Sequence, residues 1–258
     1  MVLTNGREQI DLSSGGFRLE KMTSLPCEIR SDSSYYGALG ELYRGSQIGK
    51  GRVELEGYIG SDELESKRRA LFRICTAKTG FELIDGNYKL SLYAEKGVAF
   101  SSEKRFTDKL LRFKISAIAP YPLWRSTNQY RKIFANVGGV SSNTTMLSVT
   151  NSGDVPVGFK ATFLIMASVG GLTLSLGDKK IYINHEFKPQ DEVFIDTSAE
   201  KKSVTYIPSG SDSEIDIIGF VSPKSDFFEL DVGENKLGYS MWGGIAYITI
   251  EMTEAIAR

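Results

Sequence analysis

The sequence predicts a mainly β chain: an N-terminal small β domain with one helix, then a C-terminal antiparallel β-sandwich or jelly roll. Three observations carry this. Short runs in which apolar and polar residues alternate recur along almost the whole chain, at the period of half-buried strands. One segment, Ser61 to Thr79, breaks the alternation with helical spacing. A third stretch, Lys109 to Val137, closes one β pattern and opens another.

That last stretch organises the rest. Leu111, Phe113, Ile115 and Ala117 fall on one strand face, with Arg112, Lys114 and Ser116 on the other. Pro120 and Pro122 then stop the strand, because proline lacks the N–H a ladder needs and restricts the residue before it. Trp124 follows, and Arg125 to Gln129 turn polar. A boundary is expected between Trp124 and Asn136, giving domains 1–128 and 129–258.

Before it, Val53, Leu55, Gly57 and Ile59 alternate with Glu54, Glu56 and Tyr58. Asp85-Gly86 turns the chain into a strand of Tyr88, Leu90 and Leu92. The glycine-rich run from Gly37 to Gly51 reads as a long loop. A helix is expected over residues 62–79, started by a capping box of Asp62 and Glu65 and closed by Gly80. Leu64, Leu71, Phe72 and Cys75 share its apolar face.

After the boundary the pattern is β throughout. Phe159, Ala161, Phe163 and Ile165 form one strand face, and Leu172, Leu174 and Leu176 another. Gly177-Asp178-Lys179 makes a hairpin into Ile181 and Ile183. Val193 and Ile195, Val204 and Tyr206, Phe228 and Leu230, and Ile245 to Met252 supply further strands. Such spacing, without intervening helices, is that of a sandwich or jelly roll.

Composition narrows the function. Among 258 residues, 31 are basic and 32 acidic, which removes any bulk electrostatic case for nucleic acid or an anionic membrane. No secretory signal and no membrane span are read, and Cys27 and Cys75 are expected to be buried thiols of a protein made in a reducing cytoplasm.

The chemistry-bearing residues mostly read as structural. His185 is the single histidine, so a zinc site or a Ser-His-Asp triad would have to use it without visible partners. Gly45 to Gly51 departs from a phosphate-binding loop in its glycine spacing and in holding Gly51 where Ser or Thr belongs. The carboxylate pairs Asp62 with Glu63, Asp191 with Glu192, and Asp231 with Glu234 sit at a helix start or at turns. Asn143-Thr144-Thr145 is a sequon without a secretory context. Trp242, ahead of Gly243 and Gly244 in a loop, reads as an interface anchor more than a ligand platform. No catalytic, cofactor-binding or metal residue is expected.

The order of motifs resembles a known family. The helix SDELESKRRALF, the closing run LLRFKISAIAPYPLW, the segment MLSVTNSGDVPV from Met146 to Val157, GLTLSLGDKKIYIN, and FFELDVGENKL follow one another as in the distal tail proteins (Dit) of long-tailed, non-contractile phages and prophages. The resemblance spans nearly the whole chain. Gly238 to Gly244 departs from the family pattern by its glycine richness. What the resemblance implies is a structural baseplate hub at the virion tail tip, with galectin-like second domains, synthesised in the host cytoplasm. It implies a hexameric ring built by the first domains, joining the tail tube protein to a tail-associated hub protein and to receptor-binding or fibre proteins. No cofactor, no membrane and no nucleic-acid contact for folding are implied.

Two rivals belong to other classes: a carbohydrate-binding β-sandwich module that attaches to host cell-wall polysaccharide, and a β-sandwich hydrolase. For the ring, Leu111, Phe113, Ile115, Trp124 and Trp242 are the expected interface residues. The strand Leu111 to Ala117 is long, apolar on one face and free of proline, so it is expected to offer an exposed edge to a neighbouring subunit.

Overall fold

Strand formation follows the alternation closely in the computed structural model, which describes residues 1–25, 29–35, 41–60, 62–76, 80–101, 110–138, 145–198 and 202–257. The chain divides into two units, Met1–Arg125 and Ser126–Ala257. Both are mainly β with antiparallel sheets.

The first unit contains β1 (Val2–Thr4), β2 (Gln9–Asp11), β3 (Phe17–Leu25), β4 (Ile29–Tyr35), β5 (Glu41–Ile48), β6 (Gly51–Gly60), α1 (Leu64–Ile74), β7 (Phe81–Asp85), β8 (Tyr88–Ser101) and β9 (Leu110–Ala119), and β10 (Trp124–Ser126) begins at its end. Seven strands run in the order β2-β1-β7-β8-β9-β6-β3. β8 spans two pairings: Tyr88–Leu92 face β7, and Tyr93–Ser101 face β9. The change comes with a bulge between Ala94 and Gly97, where Gly97 has φ +73°. A bulge bends and twists a strand, so one long strand can serve both pairings.

Three expectations are corrected here. Gly37 to Gly51 is not a loop throughout, because Glu41–Ile48 is a strand paired with Ile29–Tyr35. The helix is shorter than 62–79: it runs Leu64–Ile74, starts at Glu63 without a side-chain cap, and ends with Cys75 donating to the Leu71 carbonyl. Glu65 bonds Arg68 and Arg69 instead of closing a capping box. Its buried face is Leu71, Ile74 and Cys75, whereas Phe72 is 55% exposed.

The second unit contains β11 (Tyr130–Gly138), β12 (Thr145–Asn151), β13 (Phe159–Ala167), β14 (Leu172–Leu176), β15 (Lys179–Ile183), β16 (Glu192–Asp196), β17 (Ser203–Ile207), β18 (Ile215–Asp216), a 3-10 turn at Ile218–Phe220, β19 (Gly233–Met241) and β20 (Ile245–Met252). One sheet runs β11-β20-β13-β16-β17-β18 and the other β12-β19-β14-β15. Phe163, Ile195 and Ile248 from the first, and Leu174, Ile181 and Leu237 from the second, are fully buried. Two sheets that each bury one face form a layered core. Phe228 and Leu230 belong to that core but form no strand; Leu230 makes a single bridge to Val157. In the polar run after Trp124, Arg125 and Ser126 complete β10 and Thr127–Gln129 are irregular, before Tyr130–Gly138 pairs with β20.

Two buried asparagines hold the loops of the second unit. Asn151 donates to the Val155 and Leu230 carbonyls and accepts from the Gly153 N–H. Asn235 donates to the Asp231 and Gly233 carbonyls and accepts from the Asp231 N–H. Both lie in the MLSVTNSGDVPV and FFELDVGENKL motifs, so those motifs encode loop geometry.

Candidate interaction surfaces

His185, Asp191 and Glu234 pack or bond within the fold. His185 packs against Phe187, Tyr206 and Phe220 with ring centroids 4.7–5.2 Å apart, an aromatic nest. Asp191 is buried and accepts the N–H groups of Lys188 and Ser209, both at 2.8 Å, which fastens two loops. Glu234 accepts the Ser148 hydroxyl at 2.7 Å. Among the described residues no cluster of His, Cys, Asp and Glu has a metal-binding arrangement. Gly45 falls in β5 and Gly51 opens β6, so no helix N-terminus follows that glycine run. The sequon at Asn143, like Cys27, lies outside the described residues.

The structure separates the five expected interface residues. Phe113 and Ile115 are fully buried, and Trp124 is 4% exposed. Leu111 is half-buried opposite Ile59. β9 is not an edge: β6 flanks it along its whole length and β8 along most of it. An apolar strand face reads alike in an edge strand and a central one, because the sequence does not state what lies on either side. Trp242, at 65% exposed, is the one of the five that faces solvent.

Among the described residues β3 ends the order on one side, and on the other side of β9 stands Tyr93–Ser101 of β8, a strand that also pairs with β7 and β10. The sequence carried a faint signal for β3: its alternation slips by one residue between Leu19 and Met22, where the register with β6 also slips at Glu20.

The polar face of β6 and β9 bears a charge ladder. Lys114 Nζ meets Glu54 at 2.8 Å and Glu56 at 3.0 Å, and Arg112 meets Glu56 at 3.3 Å. The Lys114 hydrogen bond holds the Glu56 carboxyl below its ordinary range, and the bonds to Glu54 and Glu56 raise Lys114 above its own. The signs cancel, so this face attracts neither polyanions nor polycations. Beside α1, Phe72, Val98 and Phe100 line an open groove of about 470 Å³ with Arg68, Arg69 and Arg73. Those arginines pair with Glu65 and Glu8.

Comparison with known proteins bears on the fold of both units. Residues 152–255 match the family model of the siphovirus-type tail component, C-terminal domain. The resemblance to phage distal tail proteins is borne out. Over the whole chain the fold is similar to that of Dit (gp 19.1) of phage SPP1, described as a paradigm of the hub adsorption apparatus in phages infecting Gram-positive bacteria. That likeness has a TM-score of 0.69 at 13% identity and covers 99% of both chains. A chain of the phage P2 baseplate in its activated, calcium-containing conformation matches with a TM-score of 0.50 at 7% identity, over 98% of this chain and 97% of that one. The chain matches none of the curated proteins. The mainly β fold expected from the sequence is therefore the fold of the Dit hub protein.

Proposed function

We propose that this chain is a structural, non-enzymatic hub of a phage tail tip, in which the first domain closes a hexameric ring between the tail tube and the adsorption apparatus. The second domain holds receptor-binding or fibre proteins, and the two domains, near 1–128 and 129–258, fold independently. The observation that carries the ring is the pair of unlike strands, β3 and β8, that bound the β8-β9-β6-β3 array: β3 ends the described order, and β8 has β7 and β10 as its further partners, leaving the outer side of its Tyr93–Ser101 part as the proposed second edge. When two different edges pair, the contact is heterologous, and a heterologous contact repeated by a closing rotation makes a ring. The resemblance supplies the number six. Main-chain pairing of this kind is screened by salt far less than surface ion pairs are.

The test is the mass of the full chain in solution and its response to proline in β3. Adjacent residues of a strand send their N–H groups to opposite sides, so of Met22→Pro and Thr23→Pro one breaks the pairing with β6 and the other strikes the free edge. The expected wild-type mass is six times 28.5 kDa. One proline variant should keep its circular dichroism and become monomeric. A wild-type monomer, or a ring that persists in both folded variants, refutes the proposal.

A further inference from the structure

Trp242 is exposed, yet its backbone is fixed in the sheet. Its N–H donates to the Gly171 carbonyl at 3.1 Å and its carbonyl accepts from the Gly170 N–H at 3.0 Å. These bonds extend the β14–β19 ladder by one residue beyond the pair of Leu172 with Met241. Gly171, opposite, has no side chain, and the indole Cε3 lies 3.8 Å from where its Cβ would stand. The Tyr182 ring meets the indole edge-on with centroids 6.3 Å apart. Tyr182 is itself fixed, its N–H donating to Ser225 Oγ at 3.0 Å and its carbonyl accepting from Ser222 N–H at 2.9 Å. The turn behind cannot relax: Gly243 and Gly244 both have φ +76°, and a Cβ on Gly244 would stand 2.5 Å from the Ala167 carbonyl oxygen.

The surroundings of the ring are hydroxylic. Thr173 stands directly opposite Ser240 on one side and Tyr182 on the other, so three hydroxyl-bearing residues form a row across β19, β14 and β15. Trp242 follows Ser240 by two positions and so shares its sheet face. All three row residues are half-buried, and the Thr173 and Ser240 hydroxyls make no hydrogen bond to another described residue. No acidic or basic side chain stands in that row. The exposed apolar residues near in sequence, Met166 and Ile245, alternate with buried Ile165 and Ala246 and so face outward on the other sheet.

We propose that this face binds a neutral saccharide, one pyranose ring stacking on the Trp242 indole while the Thr173, Ser240 and Tyr182 hydroxyls engage its hydroxyl groups. The negative face of an aromatic ring attracts the polarised C–H face of a sugar. An indole has only two side-chain torsions to fix on binding. A dry protein interface would surround such an anchor with apolar groups, whereas a sugar requires donors and acceptors at that spacing. The site belongs to the second unit alone, so it stands or falls independently of ring assembly.

The experiment is saturation-transfer NMR on the full chain with three probes: triacetylchitotriose, maltotriose and lactose. Transfer to at least one is expected, weakened about tenfold or more in affinity by Trp242→Ala and several-fold by Thr173→Val, with circular dichroism unchanged. No transfer to any probe, or a smaller loss in Trp242→Ala, overturns the site. Acrylamide quenching checks the other occupant, since Trp124 is buried and the accessible fluorescence is that of Trp242. Protection that grows with chain concentration, without sugar, means that a second copy covers the indole, and overturns it as well.

Discussion

Replacing Phe113 with Ala separates a core role from an interface role. The side chain is fully buried in the first unit, and its ring lies over Gly57: a Cβ built on that glycine would stand 2.7 Å from Phe113 Cζ. Emptying such a position costs about 3–5 kcal/mol, and the upper end applies where neighbours cannot collapse into the space. Gly57 has no side chain to move, and its backbone is fixed between β3 and β9. Against a total stability of about 5–15 kcal/mol this is a large share. For a unit of this size it lowers the melting temperature by about 10–20 °C. Urea unfolding at one fixed chain concentration, followed by Trp124 fluorescence in a Trp242→Phe background, reads the change in the first unit. The midpoint should fall with its slope unchanged. A loss below about 1 kcal/mol together with a lost oligomer would return Phe113 to the subunit interface and refute the core assignment.

Two further outcomes follow from titration and burial. Glu56 has its carboxyl depressed by the Lys114 hydrogen bond, so its share of stability is present above the ordinary 4.5 and lost as pH falls through the lower folded value. The urea midpoint should therefore drop more between about pH 7 and about pH 3 in the wild type than in Glu56→Gln; parallel curves would show that the ladder contributes nothing. Lys114 is raised above 10.5, so its contribution is complete below that value and lost as pH climbs through the higher folded one. Burial pushes the Cys75 thiol up to about 12, so a thiol reagent at about pH 8 should leave it unmodified in the native chain and modify it in urea. Peptide mapping reads this residue by residue, and equal labelling in both conditions would contradict the packing under α1.

What the sequence determined by itself is what depends on neighbours along the chain. Alternation at Val53–Ile59, Phe159–Ile165 and Leu172–Leu176 gave strands with the right faces buried, because a strand's two faces are set by a period of two residues. The Gly177 turn was equally local, its φ of +58° being a conformation that glycine adopts without cost. The asparagine motifs were legible as patterns, although their hydrogen bonds across 79 residues, as from Asn151 to Leu230, were not. Tertiary structure alone decided which strands have neighbours. Phe113 and Ile115 repeat every second residue whether their strand lies at an edge or between two partners, and only the sheet order shows that β9 is enclosed while β3 ends the order among the described residues. The same holds for the two tryptophans. Both follow a strand, but Trp124 is buried and Trp242 is propped in the open by Gly171 across the ladder. Burial is a property of what arrives from distant parts of the chain, and local periodicity carries no term for it.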